Sequence, residues 1–175
     1  MLPVTKEEGA MLPVTREERI VRDELSALAR DERGCHLLQL GLRGIQESGR
    51  GLTFGCWVKH DGGASGCLFQ HAYWQGVSEG VFEPAEAPKG EIKEYVGEED
   101  FALVMDAVRA FDVLGKRRFL RWGRGRYGIP RKMLEEEQWR ATVERILIDV
   151  LAERADDAGV REERDPRRPE LGVLA

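Results

Sequence analysis

Between Lys116 and Lys132 the chain carries eight cations and no carboxylate: Lys116, Arg117, Arg118, Arg121, Arg124, Arg126, Arg131 and Lys132. The net charge of the whole chain is −5, so setting these eight positive charges aside leaves −13 for the rest. Phe119, Trp122 and Tyr127 alternate with the cations, and Gly123, Gly125 and Gly128 loosen the backbone between them. Guanidinium groups that follow phosphates and flat rings that stack on bases are what a single-stranded polyanion requires. The expected contacts to nucleic acid or phosphate are Lys116, Arg117, Arg118, Arg121, Trp122, Arg124, Arg126, Tyr127 and Arg131. The bland account of the same residues is that the first three complement the C-terminal dipole of a preceding helix, with Arg131 and Lys132 pairing Glu135 and Glu136.

A second group of residues could do different chemistry. All three Cys and all three His fall between positions 35 and 71, and Cys56, His60, Cys67 and His71 repeat one Cys-x3-His spacing. On paired strands, Cys56 would face His71 and His60 would face Cys67, each pair about 5 Å apart. The two pairs would then be separated by about 13 Å, too far to share one tetrahedral zinc. The expectation is therefore no metal and no cofactor, with Cys56, His60, Cys67 and His71 as the alternative ligand set. Cys35 offers a further alternative, a thiolate at a helix N-terminus with His60 or His71 as its base. That would make the protein a Cys/His-dependent enzyme, with or without zinc.

Residues 123–128 (GRGRYG) match G-x-G-x-x-G in letters only. A dinucleotide-binding turn follows an apolar strand and leads, through its helix, into another parallel strand. An Arg-rich run precedes these glycines, and no strand has room to follow the next helix. No G-x-S-x-G or H-E-x-x-H pattern is present. The leading expectation is thus a binding or regulatory protein rather than an enzyme. A subunit that docks an acidic protein partner through the same basic stretch is the third reading.

The elements that must position these groups can be read from periodicity. Thr15 followed three residues later by Glu18 is a capping-box pattern that opens a helix to about Ala29, with Ile20, Val21, Leu25 and Leu28 at helical spacing. Over 35–45, the alternation of Leu38, Leu40 and Leu42 together with Gly41 and Gly44 predicts a strand. Residues 52–60 and 67–75, rich in aromatic and β-branched side chains and joined by 61–66 (DGGASG), predict an antiparallel β-hairpin. A loop is expected over 83–90. Residues 98–114 carry Glu98, Glu99 and Asp100 in a first turn and a stripe of Phe101, Val104, Met105, Val108 and Phe111, with Gly115 as the stop. Pro130 opens the last helix, expected to run to about Asp156.

The expected fold is α+β: an N-terminal helix, a small antiparallel sheet centred on the hairpin, and two C-terminal helices packed on it. Expected core residues are Leu25, Leu28, Phe54, Val58, Phe69, Phe101, Val104, Val108, Trp139, Val143, Ile146 and Leu147. Residues 1–10 nearly duplicate 11–18 and are set aside as an extension. Residues 11–158 form one domain, and 159–175 read as a flexible tail. At 175 residues the chain can bury a real core, and no apolar run is long enough to span a bilayer. An odd number of Cys and no recognisable export signal give a cytoplasmic expectation without a membrane partner. Aromatic residues on both faces of a hairpin leave room for a homodimer.

Overall fold

A computed structural model describes residues 14–54, 64–119 and 133–163. Among them are six helices and two very short strands: α1 (Arg16–Leu28), α2 (Glu32–Glu47), β1 (Gly51–Leu52), β2 (Ser65–Gly66), α3 (Leu68–Ser78), α4 (Pro88–Val96), α5 (Glu98–Phe119) and α6 (Met133–Glu163). The architecture is helical, and the α+β expectation with an antiparallel hairpin is overturned. The two strands pair in parallel, Gly51 with Ser65 and Leu52 with Gly66.

α1 begins as its capping pattern dictates: the Thr15 hydroxyl accepts the Glu18 amide at 3.2 Å. Its buried face is Glu18, Val21, Leu25 and Leu28, and it packs on α5 and α6 rather than on its neighbour in sequence. The carboxylate of Glu18 reaches Arg145 on α6 at 3.1 Å.

Residues 35–45 belong to α2, not to a strand. Asp31 caps this helix through its Oδ1, which accepts the amides of Arg33 at 2.8 Å and Gly34 at 3.4 Å. The glycines that argued for a strand serve the crossing with α3. A Cβ at position 41 would lie 2.6 Å from Leu68 Cδ1, and one at position 44 would lie 2.9 Å from the carbonyl carbon of His71. Glycine costs a helix about 1 kcal/mol relative to alanine, and close packing of two helices outweighs that here.

The supposed second hairpin strand, 67–75, is α3. Leu68, Phe69, Gln70, His71, Ala72 and Tyr73 are all buried, so no polar face betrays the 3.6-residue period. A short apolar run buried on every side cannot be told from a strand by alternation alone. α4 follows the loop over 83–87, with Pro88 in its first turn, and buries Ile92 and Val96. α5 does not stop at Gly115. It continues to Phe119, and the glycine inside it leaves the space that the ring of Phe54 occupies. α6, at 1.5 Å per residue, is about 45 Å long and runs past Gly159 to Glu163.

The core gathers Leu25, Leu28, Phe54, Phe69, Phe101, Val104, Val108, Trp139, Val143, Ile146 and Leu147, all buried. Val58, also expected there, lies outside the described residues, as do 1–13. Trp139 is the hub, in edge-to-face contact with Phe54 at 5.5 Å and Phe111 at 6.1 Å between ring centres. None of the described helices is long and apolar enough to cross a membrane.

Candidate functional site

The polar groups of the fold converge where α2, β1 and α3 meet, around His71. The imidazole is fully buried. Its Nε2 lies 3.0 Å from the carbonyl oxygen of Gly51, and its Nδ1 lies 3.1 Å from that of Gly44 and 3.2 Å from the Ser48 hydroxyl. Burial pushes the ring's pKa below its ordinary 6.5, against the two carbonyl contacts and with help from the nearby charges of Arg140 and Arg50. The ring is therefore neutral, with one N–H to place. We assign it to Nε2, donating to Gly51, because the Ser48 hydroxyl can then donate to Nδ1; the Gly44 carbonyl, 3.1 Å from that nitrogen, then receives no hydrogen bond from the ring.

Around this ring the backbone is held by charge. Arg140 on α6 donates to the carbonyls of Ile45 and, at 2.6 Å, Arg50. Glu136 accepts the Leu52 amide at 3.2 Å, and the Trp139 indole N–H points to Thr53 O at 3.5 Å. The Arg50 guanidinium lies over Trp74, 4.1 Å from the ring centre, and Trp74 meets His71 edge-on at 5.3 Å. Beside them is Gln70, 2% exposed, whose amide oxygen and nitrogen meet no hydrogen-bond partner among the described residues. Such a group costs about 1–3 kcal/mol when left unmet.

No family model, no curated protein and no solved structure matches this chain.

The alternative metal set does not assemble as the spacing suggested. Cys67 and His71 are one helical turn apart on α3 rather than on a strand, and both imidazole nitrogens of His71 already face partners. Cys56 and His60 lie outside the described residues. Among the described residues no group of three or more His, Cys, Asp or Glu could hold a metal ion. Cys35 does sit in the first turn of a helix, but burial raises its thiol pKa above the usual 9.0, which opposes a nucleophilic thiolate. His36 spends its Nδ1 on the Tyr95 hydroxyl at 2.6 Å.

Of the basic stretch, Lys116 and Arg117 lie in the last turns of α5 and are exposed. Lys116 pairs with Asp112 one turn back, and Arg117 pairs with Glu17 of α1. Arg118 is the next residue of the same helix. Arg121, Trp122, Arg124, Arg126, Tyr127 and Arg131 lie outside the described residues.

Their attachment points are described, and they coincide with the polar joint. Phe54, where the chain departs for 55–63, packs on Gly115, one turn from the end of α5. The chain returns at Ala64, whose carbonyl accepts the Gly51 amide at 2.9 Å. Glu136, which holds the Leu52 amide, is in the first turn of α6. The described residues Phe54, Ala64, Gly115 and Glu136 thus all meet β1 and its neighbours at one end of the helical bundle. Sequence reading missed this joint, because its members are mostly main-chain carbonyls that no side-chain pattern marks.

Proposed function

We propose that this protein is a non-catalytic helical module of the cytoplasm that binds nucleic acid or a related polyanion through 116–132. The observation that carries the reading is that described residues flanking 116–132 on both sides, Gly115 near the end of α5 and Glu136 at the start of α6, meet Phe54 and Leu52 at one end of the bundle. The Arg50–Trp74 stack flanks the same end. It is the kind of cation and ring pair that lies along single-stranded nucleic acid. His71, Arg140 and Glu136 act as the joint that holds this end rigid rather than as reacting groups.

A titration of short single-stranded DNA and RNA against salt tests the reading. With four or five phosphate contacts, log affinity should fall against log salt with a slope of about −3 to −3.5. The triple variant Arg121→Glu, Arg124→Glu, Arg126→Glu should lose binding while keeping its melting temperature. Retention of an acidic peptide with no binding to nucleic acid at low salt would replace the nucleic acid by an acidic protein partner.

A further inference from the structure

Four large apolar side chains are exposed among the described residues, and two of them, Ile20 on α1 and Val113 on α5, share one groove. The groove runs between the two helices, has a volume of about 300 Å³, and has Ala110 in its floor. α1 and α5 lie antiparallel, as the pairing of Glu17 near the start of α1 with Arg117 near the end of α5 requires. Charge along this face is therefore sorted by end. Arg16, Lys116 and Arg117 gather at one end, where Glu17 pairs with Arg117 and Asp112 with Lys116, so that this end keeps a net charge of +1. Asp23, Glu24 and Asp106 gather at the other, where Arg109 pairs with Asp106 at 2.7 Å.

We propose that this α1/α5 face is the contact between two copies of the chain, related by a two-fold axis that lies in the interface and crosses both helices. That axis lays each helix antiparallel to its own mate. It brings Arg16, Lys116 and Arg117 of each copy over Asp23, Glu24 and Asp106 of the other. Ile20, Ala110 and Val113 meet at the centre. A surface positive at one end, negative at the other and apolar between is complementary to itself under this one operation. An axis parallel to the helices would instead set like charges together. An acidic or basic peptide would match only one end of the groove. The inference rests on other observations than polyanion binding and narrows it, since it takes Lys116 and Arg117 out of the 116–132 ligand surface for the protein contact and leaves the cations from Arg118 onward to the ligand.

Sedimentation equilibrium of the full chain is the test. A species near twice the 19.8 kDa of one chain is expected at micromolar concentration, weakening as salt is raised. Ile20→Glu with Val113→Glu, both at exposed positions, should leave a folded monomer. Two charge variants separate this arrangement from any other. Asp23→Lys with Asp106→Lys makes both ends positive, and Arg16→Glu with Lys116→Glu makes both negative. Each alone should dimerise at least tenfold more weakly, and an equimolar mixture of the two should associate again. A wild-type chain that stays monomeric would overturn the proposal, as would a dimer that survives Ile20→Glu with Val113→Glu or charge variants that fail to rescue one another.

Discussion

The phenyl ring of Phe54 lies where the side chain of residue 115 would be, so the end of β1 is keyed into a notch on α5 that only glycine leaves open. Position 115 is helical, and alanine there would gain about 1 kcal/mol of helix propensity. Overpacking costs about 1–3 kcal/mol. Gly115→Ala is therefore expected to lower the melting temperature by several degrees, since about 1 kcal/mol is worth 2–4 °C at this size. Gly90 in α4 has open space around it, so Gly90→Ala should raise the melting temperature slightly. Opposite signs for the two substitutions in one calorimetric series would establish the notch, and a stabilised Gly115→Ala would refute it.

His71 makes stability depend on pH with a defined sign. Its folded pKa lies below 6.5, so between that lowered value and 6.5 the unfolded chain binds more protons than the folded one. Stability is then greatest above about pH 6.5 and falls as pH drops through that window. Melting temperatures from pH 7.5 to 5.5 should decline, and His71→Gln should be less stable at pH 7.5 but flatter across the range. An undiminished slope in the variant would assign the effect to other groups.

Gln70 is buried with neither end of its amide met among the described residues. Gln70→Met keeps the volume and removes the unmet donor and acceptor. It should raise stability by about 1–2 kcal/mol. A lower melting temperature for this variant would mean that the amide is used.

Trp122→Ala separates two roles by measuring two quantities on one protein. If the indole stacks on a base, binding to single strands should weaken by about 1–3 kcal/mol with the melting temperature unchanged. If it is a core residue, stability should fall by about 3–5 kcal/mol instead.

The amphipathic helices were legible in the sequence because one face of each is wet. Thr15 and Glu18 announce α1, and the stripes of Phe101, Val104 and Val108 and of Trp139, Val143 and Ile146 belong to α5 and α6 as expected. The middle of the chain was not, because α2 and α3 bury so much of themselves in each other that periodicity is blurred. There Gly41, Gly44 and Gly115 look like breakers while acting as places of close approach. α4 was missed because Pro84 and Pro88 read as loop, although Pro88 is in the helix's first turn. The Cys67 and His71 spacing is a helical turn, and the partners that decide the role of His71 are the carbonyls of Gly44 and Gly51, 27 and 20 residues away.

α1 rests on α5 and α6 and hardly touches α2. Among the described helices it is nevertheless the first to leave the ribosome. At about 5–20 residues per second, the chain from Leu28 to the middle of α5 takes on the order of 4–16 s to make. Throughout that interval Val21, Leu25 and Leu28 have no surface to cover them, whereas α2 and α3 can dock as soon as both have emerged. The nascent chain should therefore recruit holding chaperones at α1, and a late folding step should be the return of α1 onto α5 and α6.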